Sequence, residues 1–155
     1  MAAILVRDGL EGFGPLGEEV HTFANNSIAQ VAALKQLDII ERDNILENVN
    51  TQGDYMGARL KALQQQFPQI GDVRQVGLHI GIEFVTNPVT KEPDLEFAQT
   101  VKAIALHLGL ILGEAGYRKN VLKIKPPLIM TVEQAEEALQ IFTAAVGAAS
   151  QKLGR

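Results

Sequence analysis

The chain has 155 residues, 46% of them hydrophobic and 21% charged, with 14 Lys and Arg against 18 Asp and Glu and a formal net charge of −4. That length supports one domain with a short appendage, and the charge balance excludes both intrinsic disorder and a surface dedicated to nucleic acid. The absence of cysteine removes disulfides, Cys-ligated metal sites and thiol nucleophiles, while the lack of a signal pattern at Met1–Arg7 or of a membrane-length apolar run predicts a soluble, cytoplasmic protein.

In chain order, Ala3–Arg7 reads as a short strand followed by a glycine-rich loop to Asn26. Asn26 or Ser27 can cap a first helix whose apolar stripe is Ile28, Val31, Leu34 and Leu37. Asp43 or Asn44 can cap a second, with Ile45, Val49, Met56, Leu60, Leu63 and Phe67 on one stripe. Gly53 and Gly57 interrupt its middle, and Pro68 stops it. From Gly71 the period becomes alternating. Leu78, Ile80, Ile82 and Phe84 form one face of a strand, and Gly77, His79, Gly81 and Glu83 the other. The glycines leave room for a helix or another part of the chain to pack close. After a loop with prolines at 88 and 93, Asp94 can cap a third helix carrying Phe97, Val101, Ile104, Ala105 and Leu108, closed by Gly109. Leu110–Leu112 and Val121–Ile124 read as short strands separated by a turn over 113–120. Thr131 opens the last helix, where Gln134 completes a capping box ahead of Ala135, Ala138, Leu139, Phe142 and Val146. The order helix, helix, strand, helix, strand, strand, helix indicates an α+β fold.

Few residues advertise chemistry on their own. Gly12-Phe-Gly14-Pro-Leu-Gly17 is a literal G-x-G-x-x-G, but Glu18-Glu19 and a further loop follow it instead of a helix N-terminus, so it is read as a decoy. His21, His79 and His107 have no metal-ligand spacing, and neither Ser27 nor Ser150 sits in a nucleophile elbow. No metal site is expected. Lys123 and Lys125 share one face of the last strand, with Arg118 and Lys119 just upstream. Two readings stand: a solvated edge on which lysine discourages strand pairing, or an anion site.

Three segments in series carry a resemblance: His21-Thr22-Phe23-Ala24-Asn25-Asn26, then Gly71-Asp72-Val73-Arg74 with Gly77-Leu78 and Gly81-Ile82-Glu83, then Asn120-Val121-Leu122 with Ile124 and Pro126-Pro127-Leu128. Over about Val20–Val146 the chain resembles the C-terminal portion of class III aminotransferases, pyridoxal-phosphate enzymes of the aspartate-aminotransferase fold. The resemblance implies a small mixed sheet of about three to four strands covered by helices on one face. It divides the chain into a residual large-domain or linker segment over 1–26 and a small domain over 27–155. It implies that Thr22, flanked by His21 and Phe23, meets the cofactor phosphate of a neighbouring subunit in a homodimer or higher homo-oligomer. It also places Lys123, with Lys125 beside it, at the substrate, where the family often carries an arginine that clamps a carboxylate. Lysine is a point charge and not a fork, so it does not reproduce that clamp. The Lys-Ile-Lys-Pro-Pro run is similar to the alanine–glyoxylate aminotransferase 2-like and phospho-lyase subgroup, for which a phosphorylated amino alcohol is an alternative substrate.

The family's Schiff-base lysine and its pyridine-pairing aspartate lie upstream of the Thr22 turn. Met1–Val20 contains no lysine, and Asp8 is its one aspartate. Without that lysine the cofactor cannot be held covalently. The expectation is an intact enzyme that moves an amino group from an amine or amino acid to a 2-oxo acid, and a chain that is inactive by itself. The alternatives are a non-catalytic interaction module and a small-anion binder built on Lys123 and Lys125.

Overall fold

The structure, a computed structural model, describes residues 7–9, 22–23 and 26–155. The chain divides into two compact units, Met1–Asn44 and Ile45–Arg155. Apart from Arg7, the strand expected over Ala3–Arg7 lies outside the described residues, as does the glycine motif at 12–17.

In the first unit, α1 spans Ser27–Arg42. Asn26 is its N-cap, and its side-chain oxygen accepts from the Ala29 amide at 3.0 Å, satisfying one of the donors a helix start leaves free. Ile28, Val31, Leu34 and Leu37 form the expected stripe, and all four are exposed. Asn44, in the left-handed region at φ 50°, separates α1 from the next helix.

The second unit begins with α2, Ile45–Gln66, one unbroken helix despite Gly53 and Gly57. Those glycines are there because the chain crosses them closely. A Cβ at Gly53 would lie 2.4 Å from the Gly77 carbonyl oxygen, and one at Gly57 would strike the Gln75 side chain. The helix tendency of Met56, Leu60 and Leu63, all buried, outweighs the roughly 1 kcal/mol that each interior glycine costs.

The alternating run from Gly71 is two strands and not one. β1 (Ile70–Val76) and β2 (His79–Phe84) are joined by a tight turn at Gly77-Leu78, with Gly77 at φ 51°. Gly77 therefore sits in the turn facing α2 and not on a strand face. The antiparallel register runs Val76↔His79, Arg74↔Gly81 and Asp72↔Glu83, with a bulge between Ile70 and Asp72. The bulge leaves the Gly71 carbonyl outside the ladder, and it accepts from Lys91 Nζ (2.8 Å) and Gln64 Nε2 (3.0 Å).

β3 is Gly113–Ala115, three residues beyond the strand expected at Leu110–Leu112, and β4 is Val121–Ile124 as expected. Leu112 is buried while Ile111 is exposed, so the apolar run alternates like a strand but reaches the core before the chain meets β4. All three strand pairs are antiparallel, giving the order β1-β2-β4-β3. α3 (Leu95–His107) starts on Asp94, whose carboxylate accepts from the Phe97 amide, and α4 (Val132–Leu153) starts on the Thr131–Gln134 capping box. One face of the sheet (Ile80, Ile82, Phe84, Leu122, Ile124) packs with Phe97, Val101, Leu139, Phe142 and Val146 in a single core. No helix among the described residues is long and apolar enough to cross a membrane.

Candidate functional site

Within the second unit the opposite face of the sheet is open, and strand alternation decides which residues reach it. A straight row crosses all four strands: Arg74 on β1, Gly81 on β2, Lys123 on β4 and Gly113 on β3. Lys123 is thus flanked by two residues without side chains. Its stem leans over Gly113, where an added Cβ would stand 3.1 Å from Lys123 Cε. Above Gly81 the face is hollow. A Cβ there would meet only Val121, at 3.6 Å, and the opening of about 320 Å³ is walled by Arg74, Val76, His79, Val121 and Lys123.

The charges on this face are sorted. Arg74 donates to Glu83 through Nη2 (3.1 Å) and pairs with Asp72 through Nε (3.2 Å), so its charge is taken up by the two carboxylates of the adjacent row. Upstream, Arg118 stacks over the Tyr117 ring at 5.8 Å and Lys119 pairs with Glu114 at 3.9 Å. Of the four cations that the sequence groups together, Lys123 and Lys125 are left with neither an ion pair nor a ring contact among the described residues. The position of Lys123 is fixed from below. Asn120, buried, donates from Nδ2 to the Phe84 carbonyl at 2.8 Å and accepts the Phe84 amide on its own carbonyl at 2.8 Å, clamping the start of β4 to β2.

Thr22 and Phe23 lie in an exposed turn just ahead of α1, with the Asn26 amide donating to the Phe23 carbonyl at 3.2 Å. They belong to the first unit. His21 lies outside the described residues. The exposed Thr22 hydroxyl next to a helix start fits a contact to a phosphate group. No group of acidic or histidine side chains among the described residues could hold a metal. Sequence reasoning passed over the Arg74–Gly81–Lys123 row, because it depends on a hairpin register that the unbroken alternation conceals.

The comparisons with known proteins agree with this architecture. A family model described as "Aminotransferase class-III" matches residues 1–146. The alanine/serine racemase of Pyrococcus horikoshii is 41% identical over 130 residues, covering 84% of this chain and 27% of that protein. The ethanolamine-phosphate phospho-lyase homolog 1 of Caenorhabditis elegans is 37% identical over 117 residues, 73% of this chain and 25% of that protein. A solved transaminase from the marine bacterium Virgibacillus superposes with a TM-score of 0.80 at 30% identity, over 88% of this chain and 32% of that one. An open antiparallel sheet under a helical layer, with a family match over nearly its whole length, defines the chain as a member of the class III aminotransferase family. It spans about a quarter to a third of the length of the relatives it matches.

Proposed function

We propose that this chain forms the C-terminal, small-domain part of a pyridoxal-phosphate-dependent class III aminotransferase, which transfers an amino group between an amine or amino acid and a 2-oxo acid. The observation that carries the reading is Lys123, unpaired among the described residues, on the open face of a family sheet and held in register by Asn120. In this reading pyridoxal phosphate, when bound, supplies the electron sink that labilises the bonds at the amino-bearing carbon. The chain's own residues bind and orient. The Thr22 hydroxyl, in the segment His21-Thr22-Phe23, donates to the cofactor phosphate of a neighbouring subunit in a homodimer or larger assembly. Lys123 and Lys125 attract the substrate's anionic group. The protein works in the cytoplasm. By itself the 155-residue chain does not transaminate, because no lysine precedes Thr22 to hold the cofactor.

Two measurements test this. Pyridoxal phosphate added to the chain and trapped with borohydride should leave no stoichiometric adduct; full labelling of one defined lysine would contradict the reading. The protein carrying this segment, isolated from its host with an antibody to the chain, should move an amino group to a 2-oxo acid. Racemisation of an amino acid without amino transfer would instead place it with relatives such as the racemase.

A second reading, a phospho-lyase acting on a phosphorylated amino alcohol, is favoured by the Lys-Ile-Lys-Pro-Pro run and by the phospho-lyase relative.

A further inference from the structure

We propose that Gly113 is a positioning residue: its missing side chain leaves bare backbone for the Lys123 stem to lie on, and so sets where the ammonium stands and how well anionic amino donors are held. The inference rests on the reading of Lys123 as the group that attracts the substrate's anion. Gly113 is the new element, on a different strand from the lysine it directs.

Backbone conformation does not call for glycine at 113. Its φ lies outside the left-handed region that holds Gly109 and Gly116 on either side of it. A strand ordinarily favours a β-branched or aromatic residue, and a glycine there costs stability, so it marks a close approach by another group. That group is Lys123. Gly113 stands directly opposite Lys123 in the β3–β4 register, and a Cβ at 113 would lie 3.1 Å from Lys123 Cε and 3.4 Å from Lys123 Cβ. Both ends of the stem are within contact of one point, so the stem runs along β3 and not out into solvent. Lys123 is accordingly half-buried, while Lys125 on the same face is exposed.

The other neighbour of Lys123 in the row offers the same vacancy, and the stem does not take it. A Cβ at Gly81 would find Val121 at 3.6 Å and no atom of Lys123 within 4 Å. No charge draws the stem toward β3. Glu114, the carboxylate of that strand, stands in register with buried Leu122 on the opposite face and is engaged by Lys102 at 3.5 Å and Lys119 at 3.9 Å. The lean comes from contact between the methylenes and the bare backbone. A methyl at 113 would make the stem give by a few tenths of an ångström. The branches of a valine would cover the backbone altogether and send the stem over Gly81, into the opening of about 320 Å³ beside Arg74, His79 and Val121.

Two experiments test it. In the 155-residue chain, side-chain NMR should show the Lys123 ε-methylene in NOE contact with the α-protons of Gly113 and not with those of Gly81. In Gly113→Val that contact should pass to Gly81, at a melting temperature no lower than the parent's, because valine favours strands. The second experiment uses the holoenzyme carrying this segment. Its half-reaction with the amino donor alone is followed by cofactor absorbance, with alanine and 4-aminobutyrate against the uncharged ethylamine and butylamine. Gly113→Val should raise the apparent Kd of the anionic donors about tenfold at an unchanged limiting rate, and leave the uncharged amines as they were. Gly113→Ala should fall between parent and valine. In a Lys123→Met background the Gly113→Val effect should vanish, whereas a merely structural effect would add to that of the lysine. Lys61→Met, exposed on α2, should behave as the parent does. The proposal is overturned if the ε-methylene contacts Gly81 in the parent, if Gly113→Val treats charged and uncharged donors alike, or if its effect adds to that of Lys123→Met. Should Lys123→Met weaken the anionic donors while Gly113→Val does not, the positioning role fails and the reading of Lys123 stands. Should Lys123→Met leave them unchanged, both fail.

Discussion

Asn120 and Phe84 exchange two hydrogen bonds, the Asn120 side chain donating to the Phe84 carbonyl and the Phe84 amide donating to the Asn120 carbonyl, each at 2.8 Å. The pair sits one residue before β4 begins, so it sets the register that brings Lys123 opposite Gly81. Asn120→Ala removes a buried donor and leaves the Phe84 carbonyl one partner short, which should cost roughly 1–3 kcal/mol in urea unfolding. Asn120→Asp, the same shape without the donor and with a negative charge near Glu83 Oε1, should cost at least as much. A loss within error of zero for both would remove Asn120 as the clamp.

Two glycines in helices make opposite predictions. At Gly53 a methyl would stand 2.4 Å from the Gly77 carbonyl oxygen, and backbone on both sides cannot yield, so Gly53→Ala should destabilise by about 1–3 kcal/mol. At Gly147 on α4 a methyl would make ordinary contact with Phe67 at 3.9 Å. Gly147→Ala should therefore stabilise by about 0.4–1 kcal/mol, through lower entropy of the unfolded chain. Thermal unfolding of the two variants side by side decides it. Equal effects would mean that the α2–hairpin approach is not as tight as the backbone places it.

The same Gly53–Gly77 approach marks where the sequence was legible and where it was not. Helix starts at Asn26, Asp94 and Thr131 follow from local chemistry: a short side-chain acceptor in front of an apolar stripe. β4 and the α4 stripe follow from periodicity for the same reason. The hairpin does not, because Gly77-Leu78 continues the alternation without a break, and only the pairing of Val76 with His79 reveals the turn. β3 is displaced to Gly113 because strand pairing depends on the partner, and Lys123 and Leu122 fix it from the other side of the turn. Lys123 was recognisable from its motif, whereas Gly81, and Arg74 beyond it, join its row only through a register between segments about 40 residues apart. Of the Thr22 turn, the sequence supplied the resemblance and the structure an exposed position.

The segment after Pro126-Pro127 is tied to α2 through Asn48, whose Nδ2 donates to the carbonyls of Leu128 (2.8 Å) and Met130 (3.1 Å). That anchor holds the approach to the α4 capping box. Asn48→Ala should lower stability by about 1–2 kcal/mol, and it should speed hydrogen exchange at the Met130 amide, which donates to Pro127. Exchange at the α3 amides should stay as it was. Uniform acceleration over the whole unit would mean global destabilisation and not a local anchor.

Tyr55 on α2 donates its phenol to Glu136 on α4, and Arg59 (3.3 Å) and Gln140 (3.3 Å) approach the other carboxylate oxygen. The hydrogen bond from Tyr55, followed by that from Gln140, holds the Glu136 carboxyl below its ordinary value of 4.5. The same bond to Glu136, with some desolvation, raises Tyr55 above its ordinary 10.0. A carboxyl lowered in the folded state adds stability that is present above 4.5 and is lost as pH falls through the folded value. A phenol raised in the folded state adds stability that is present below 10.0 and is lost as pH rises through the folded value. The α2–α4 contact should therefore be strongest between these limits and weaken at both ends. Tyr55→Phe should lower the urea midpoint at neutral pH, and its deficit relative to the parent should shrink on acidification below 4.5 and again above 10.0. Glu136→Gln should remove the acid-side shrinkage, because glutamine has no proton to gain. A deficit that stays constant from about pH 3 to pH 7 would show that the Tyr55–Glu136 bond is not coupled to folding.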